Sequence, residues 1–356
     1  MLRIKYEDAV KTMEGKLIAH GVEEGRARLV AETAAGISLD GIYSHGINRF
    51  KRLALSIDSG ICDPKAVPEC AAGFGGFERW EGNHGIGIIN AMACTDRAIE
   101  LAREHGVACV TLRNTNHWFR GGSYGWRIAE AGMIGIVFTN TKSNMVYHGT
   151  LDRVLGTTPL VIALPRSEGP VVADVSLGEY SYGKLQLADL AGKQMPKPAG
   201  YDSNDNISTD PMAVMKEARL LPLGEYKGSA INLLLDLIAS STSLGNSACD
   251  VRDIPGDENS VSQTFIAINS RAVNSPEAEE EISNRLLSHL LNARPAPGFS
   301  APRYPGQNVV KIGQNIIIRF AVMVIQYLHA GVCHRHVGVQ TAEIFFFPHQ
   351  VMLGTF

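Results

Sequence analysis

The sequence is short of the features that mark several large protein classes. It has no basic excess: 33 Lys and Arg against 36 Asp and Glu leave a formal net charge of −3. A nucleic-acid binder usually carries a basic face, so no nucleic-acid partner is expected. The six cysteines, Cys62, Cys70, Cys94, Cys109, Cys249 and Cys333, are scattered and form no Cys-x-x-Cys pair. In a chain of this length they read as reduced thiols, which argues against a disulfide framework and a cysteine zinc site. His334 and His336 stand beside Cys333, but without carboxylate support they make no metal centre, and no metal is expected. Residues 1–21 are peppered with Lys, Glu and Asp. They lack the apolar stretch of a signal peptide, so a cytoplasmic location is expected. Residues 316–332 are apolar but interrupted by Arg319, Gln326 and His329. That falls short of the roughly 20 apolar residues of a membrane helix, and no membrane span is expected.

Nucleotide motifs are also missing. The nearest approach to G-x-G-x-x-G, Gly85-Ile-Gly87-Ile-Ile-Asn90, lacks the third glycine and follows Asn83-His84 rather than an apolar strand. That excludes a Rossmann fold, and no P-loop lysine motif is present. Gly224-Glu-Tyr226-Lys227-Gly228-Ser229 precedes an apolar helix. A lysine and free N–H groups at a helix start can hold phosphate; the same residues also make an ordinary turn and cap.

What is present is an ordinary globular composition, 45% hydrophobic and 19% charged over 356 residues, enough for a large core and one or two domains. Residues 6–20 and 23–35 read as helices, the first stopped by Gly21. A third helix is expected from Ser44, as N-cap, to about residue 57. Helical patterns at 92–105, 127–131, 229–240 and 277–292 alternate with β-rich runs at 107–112, 134–139, 160–164, 171–175 and 261–268. This is an α/β pattern with a buried sheet. Residues 200–211 read as a surface turn.

Two clusters carry chemistry. In Tyr43-Ser44-His45-Gly46-Ile47-Asn48-Arg49, an imidazole and a guanidinium four residues apart share one face if the segment is helical. The guanidinium can hold a carboxylate in bidentate fashion. The imidazole, with an ordinary pKa of about 6.5, suits proton transfer to a carbonyl oxygen. The plain alternative is a capped surface helix with an i, i+4 pair. The second cluster runs from Arg113 to Gly125 behind an apolar strand, where α/β proteins place ligand sites. It mixes polar, aromatic and glycine residues. Its plain alternative is an ordered loop with an N-cap at Ser123.

Taken together, four motifs resemble the non-Rossmann malate/L-lactate dehydrogenase family. They are residues 43–50 (YSHGINRF), 116–126 (NHWFRGGSYGW), 155–159 (LGTTP) and Tyr226-Lys227-Gly228. Ser181-Tyr182-Gly183 and Leu190-Ala191-Gly192 add to the match, which covers residues 1–311 in order. The resemblance implies a helical domain built from both chain ends (residues 1–75 and 276–311) and an α/β cofactor-binding domain with a mixed sheet (76–275). It implies a homodimer and a nicotinamide cofactor, NADH before NADPH. The activity it implies is reduction of the keto group of a small 2-keto acid, a sugar acid such as 2,3-diketo-L-gulonate. Malate, lactate, ureidoglycolate, sulfolactate and cyclic imino acids are the alternative substrates. By resemblance the proton donor falls on His45, and substrate-side residues on Ser44, Arg49, His117 and Thr158. Cofactor contacts fall on Pro170, Val171, Val172, Ala173, Asp174, Val175 and Ser176, on Tyr226 and Lys227, and on Gly306, Gln307 and Asn308.

Two departures stand out. Tyr147-His148-Gly149 replaces a Pro-Trp-Gly type sequence. After Lys311 the chain stays apolar where the family continues with a charged helix, as a reading-frame change near Lys311 would produce. Residues 312–356 are then an atypical tail, and an inactive binding or assembly protein is the alternative of another class.

Overall fold

The computed structural model describes residues 2–256, 258–307, 309 and 317–320. Asn308, the Cys333, His334 and His336 group, most of the apolar stretch and the sequence change after Lys311 lie outside the described residues. The N-terminal third carries β1 (Leu2–Lys5), α1 (Tyr6–Ala19), α2 (Glu24–Leu39) and α3 (Ile47–Asp58). The hairpin β2 (Glu69–Phe74) and β3 (Phe77–Glu81) follows, then α4 (Gly87–His105), β4 (Val107–Thr115), α5 (Gly122–Glu130) and β5 (Ile134–Thr139). Next come β6 (Met145–Val146), β7 (Arg153–Leu155), β8 (Pro159–Leu164), β9 (Val171–Ser176) and α6 (Tyr182–Leu190). The remainder is β10 (Gly200–Tyr201), β11 (Ile207–Ser208), α7 (Pro211–Glu217), α8 (Tyr226–Ser243), α9 (Ala248–Asp253), β12 (Val261–Ile268), α10 (Pro276–Leu291) and β13 (Ile317–Phe320).

Seven strands form one sheet in the order β2-β3-β4-β12-β5-β8-β9. The β3–β4 pair is parallel and the other five pairings are antiparallel. This mixed order differs from the open, mostly parallel sheet of a doubly wound dinucleotide fold. Alternation along β4 sets the layers: Ala108, Val110 and Leu112 face the core with α4 and α5, while the Thr111 hydroxyl donates to Thr242 O of α8 on the opposite face. Small residues let α5 lie close to the sheet. A Cβ at Gly125 would come within 2.5 Å of Val161.

Two cores meet at a seam. The helical core joins α1, α2 and α3, where Ile47, Phe50, Leu53 and Ile57 line one face at helical spacing. Its partner is the sheet core around Trp118, Tyr124 and Phe265. Helix α4 belongs to both: Ile88 and Ile89 enter the helical core, Cys94, Ala98 and Leu101 the sheet core. Trp118 and Phe119, adjacent in sequence, likewise enter different cores. The segment before them is therefore pinned at the seam.

Several expectations are corrected. The third helix begins at Ile47, not Ser44; residues Tyr43–His45 form a separate 3-10 turn and Gly46 is the N-cap. The N-cap of α5 is Gly121 rather than Ser123. Both strands of the β2–β3 hairpin, which turns at residues 75–76, belong to the sheet. Helix α10 makes side-chain contacts with the turn after β8, through Glu280 to Ser167 and Asn284 to Arg166. Strand β13 pairs antiparallel with β1, which brings a later part of the chain to the helical layer. The glycine pair of residues 85–87 does follow a strand, but it is no phosphate loop. A Cβ at Gly87 would lie 2.2 Å from Asn116 O, so the chain's own backbone fills that space.

Candidate active site

The turn Tyr43–His45 leaves α2 through Gly41, whose φ is 84°. Gly46 then lies against α2: a Cβ there would meet Ser38 Oγ at 2.1 Å and Ala34 O at 2.9 Å. Ser38 Oγ accepts from the Ile47 N–H at 2.9 Å and so caps α3 from outside it. The expected i, i+4 pair on one helix is therefore not formed, because Gly46 breaks the helix between His45 and Arg49. Both residues still meet in one cluster, brought there by the fold of the turn. Ser44 Oγ is 2.8 Å from His45 Nδ1, which fixes the ring and leaves Nε2 as its other polar atom. Gly183 at the start of α6 reaches Ser44 so closely that a Cβ would lie 2.8 Å from Ser44 Cβ.

His117 enters from the end of β4. Asn116 Nδ2 donates to His84 O at 2.7 Å and to Gly85 O at 2.9 Å, which ties the segment to the turn before α4. Phe119 holds a left-handed φ of 69°, a conformation that costs a non-glycine residue on the order of 1–3 kcal/mol. It lets the Phe119 N–H donate to His117 Nδ1 at 2.9 Å. The neutral ring then carries its hydrogen on Nε2, which faces Glu258 Oε2 at 3.4 Å. The same carboxylate oxygen is 3.4 Å from Arg49 Nη2. The rings of His45 and His117 are 6.2 Å apart between centroids. Ser44, His45, Arg49 and His117 thus gather in one partly buried cluster.

The field in that space is positive. Burial, then Arg49, Arg120 and Arg52, push the His45 pKa down to about 4. Burial, then Arg49 and His45, hold His117 well below the usual imidazole range. Arg120 is paired with Asp40 and lies 3.6 Å from Asp174. Burial raises the Asp174 carboxyl, while Arg120 and the Gly122 N–H, donating at 2.9 Å, oppose that rise.

Next to Arg120 opens a cavity of about 480 Å³ lined by Ser123, Trp126, Pro170, Gly306 and Gln307. Strand β9 and the 305–307 turn are joined there by the Val172 N–H, which donates to Pro305 O at 3.2 Å. The indole Nε1 of Trp126 is buried and has no acceptor among the described residues. Along β9, Val172 packs toward α5, Asp174 meets Gly122, and Ser176 Oγ donates to Thr157 O at 3.3 Å. Val171, Ala173 and Val175 alternate with them. Tyr226 and Lys227 lie exposed at the start of α8, and the Tyr226 ring sits edge-on to Tyr147. The fully buried Thr158 donates to Asn232 Oδ1 at 2.8 Å, so its hydroxyl is committed to α8.

The sequence matches the malate/L-lactate dehydrogenase family over residues 4–315. The chain belongs to that family. It is 38% identical over 306 residues to 2,3-diketo-L-gulonate reductase of Escherichia coli, covering 86% of this chain and 92% of that one. Its fold is similar to sulfolactate dehydrogenase from Methanocaldococcus jannaschii, with TM-score 0.84, 25% identity, and coverage of 92% of this chain and 96% of that chain. It is also similar to delta1-piperideine-2-carboxylate reductase from Pseudomonas syringae pvar. tomato, with TM-score 0.81, 25% identity and coverage of 93% and 99%. Family membership makes this chain an oxidoreductase of 2-keto and 2-hydroxy acids. Among the described residues no helix is long and apolar enough to cross a membrane, and no group of three or more candidate metal ligands occurs.

Sequence reasoning passed over four residues of this neighbourhood. Arg120 and Trp126 were inside the quoted motif but carried no separate signal. Asp40 follows a helix and Glu258 lies beside Asp257 in a loop, and in a sequence both read as solvated surface.

Proposed function

We propose that this chain reduces the keto group of a small 2-keto acid with NADH, converting 2,3-diketo-L-gulonate to 3-dehydro-L-gulonate in the cytoplasm. The observation that carries the reading is the meeting of His45, Arg49 and His117 at the seam, next to a cavity walled by Pro170, Gly306 and Gln307. Arg49 takes the substrate carboxylate through paired charge-assisted hydrogen bonds. His45, braced by Ser44, gives its Nε2 proton to the carbonyl oxygen. His117 offers an Nε2–H on the other side of the space and orients the substrate. Thr158, with its hydroxyl on Asn232, steadies the strand entry instead of reaching the acid.

The cavity suits a dinucleotide. Its volume lies within the roughly 300–1,000 Å³ of small-molecule sites, and Trp126 Nε1 is a buried donor in need of an acceptor. Pro170 to Ser176, Gly306, Gln307 and Asn308 would hold the cofactor, with Tyr226 and Lys227 at the far end of β9. The reduced nicotinamide supplies hydride when bound. Asp40, Glu130 and Glu168 line the cavity, and Arg120, the lining guanidinium among the described residues, is paired with Asp40. Acidic groups accept from ribose hydroxyls and repel a 2′-phosphate, which favours NADH over NADPH.

A homodimer is part of this reading. Tyr226, Ile231, Leu234, Leu237 and Ile238 leave an apolar face exposed on α8, the kind of surface that oligomers cover. Residues 76–275 form the cofactor-binding part in this scheme, with residues 1–75 and 276–311 around it. The test is NADH oxidation over a panel of 2-keto acids, with wild type and His45→Ala side by side. Turnover is expected with 2,3-diketo-L-gulonate, and His45→Ala is expected to lose on the order of 10²–10⁴-fold in kcat while still binding NADH. A loss of only twofold, or loss of NADH binding, would overturn the assignment of His45.

A further inference from the structure

Among the described residues, Glu258 is the carboxylate seen to touch both Arg49 and His117. It sits in the loop between α9 and β12, held on one side by Asn259 Nδ2, which donates to Pro255 O at 3.0 Å. The side chains of Arg49, His117 and Glu258 are only 13%, 18% and 17% exposed, so water screens their charges weakly. Arg49 and Arg120, which both act on His45, carry carboxylate partners: Arg49 has Glu258, and Arg120 has Asp40. A substrate carboxylate on Arg49 would stand beside Glu258. Any second anion on the same small molecule meets Glu258.

We infer that Glu258 selects the substrate class of this site: it rejects 2-keto and 2-hydroxy dicarboxylates and accepts monocarboxylates that carry a hydroxyl beyond the reacting carbon. The inference rests on the proposed function and sharpens it. A carboxylate is an acceptor with no hydrogen to give. It accepts a hydrogen bond from a sugar-acid hydroxyl and repels a carboxylate or sulfonate in the same place. The small distance between the two histidine rings, 6.2 Å, keeps every part of a three- or four-carbon acid within reach of that charge. Selection of this kind works by a repulsive element set against the wrong ligand.

The test compares glycerate with malate, which differ in bearing a hydroxyl or a carboxylate on the third carbon. Calorimetric titration of the full chain with NADH present allows no turnover of either hydroxy acid. Wild type is expected to bind glycerate at least tenfold tighter than malate. Glu258→Gln is expected to shrink that ratio by tenfold or more, and Glu258→Asp to preserve it. A smaller change in ratio overturns the inference, as does a wild type that prefers malate. If Glu258→Gln does not fold, the wild-type preference and its retention in Glu258→Asp decide. Failure to reduce 2,3-diketo-L-gulonate, with the binding ratio behaving as described, would remove the proposed reaction and leave the role of Glu258 standing.

Discussion

Binding of a small carboxylic acid to this site is expected to draw a proton from solvent. With His45 at about 4 in the ligand-free site, about one molecule in a thousand holds the imidazolium at pH 7. An acid catalyst needs a pKa near the working pH, so binding has to lift it by about three units, or about 4 kcal/mol. The structure contains a source for that. Arg49 is the strongest charge acting on His45, and a substrate carboxylate on Arg49 offsets it. Two unit charges about 4 Å apart at an effective dielectric of 20 interact by about 4 kcal/mol. One carboxylate is thus enough, and the coupling runs both ways: the acid raises the ring's proton affinity, and the proton tightens the acid.

The assay is calorimetry of a 2-keto acid binding to the oxidised-cofactor complex, where no reduction can occur. Titrations at pH 7 in buffers of different ionisation enthalpy give the protons taken up per acid bound. An uptake of about half a proton is expected at pH 7, rising toward one near pH 5.5 and back to about half at pH 4, where the free His45 is already half charged. His45→Asn is expected to abolish it, which separates His45 from His117. Uptake near zero in wild type at pH 7, with the acid bound, would refute the reasoning and require the proton to come from elsewhere.

Other outcomes follow from the same geometry. Arg49→Gln removes the charged partner of the acid; at about 1.5–3 kcal/mol for a hydrogen bond to a charge, KM is expected to rise on the order of 10–100-fold, read from steady-state kinetics. Gly183→Ala drives a methyl into Ser44, which lies 2.8 Å away; kcat is expected to fall while the melting temperature changes little, checked by kinetics and thermal unfolding on one preparation. The depressed His45 pKa also predicts acid sensitivity. The unfolded chain takes up this proton below about pH 6.5 and the folded one only near pH 4, so folded-state stability is kept above 6.5 and lost as pH falls between those values. At 1.36 kcal/mol per unit the loss is about 3 kcal/mol. Urea unfolding at pH 7 and pH 4.5 is expected to show a smaller drop for His45→Asn than for wild type.

The parts of this molecule that were legible beforehand share one property: they are set by residues close together in sequence. The strands Ile134–Thr139 and Val261–Ile268 match their expected ranges, because runs rich in β-branched and aromatic residues favour strands. Helix α10 lies within a residue of its expected start and end; Ser275 caps it and acidic residues fill its first turn, as sequence rules anticipate. The strand hairpin β2–β3 escaped notice because its first strand is exposed along its whole length, so it carries no alternation of apolar and polar residues to detect. The start of the third helix was misread for a related reason. Ser44 is a sound cap residue in isolation, and only the contact of Gly46 with Ser38 and Ala34 shows that the chain must break there.

The site itself divides in the same way. His45 and Arg49 could be named from their types and spacing even though the helix expected to join them does not exist. Their meeting is produced by a seam between two cores, which no local pattern encodes. Glu258 could not be named at all. It lies 209 residues from Arg49 in sequence, in a loop whose acidic composition promises only solvation. A carboxylate gains its meaning here from a guanidinium and a neutral imidazole brought to it by other elements, and loses it if either is moved. That makes the arrangement open to a double-mutant cycle. If Glu258 acts through Arg49, the effects of Glu258→Gln and Arg49→Gln on acid binding are expected to be non-additive by about 0.5–3 kcal/mol, as for residues in direct contact. Additive effects would mean that Glu258 acts on the acid by its own charge alone.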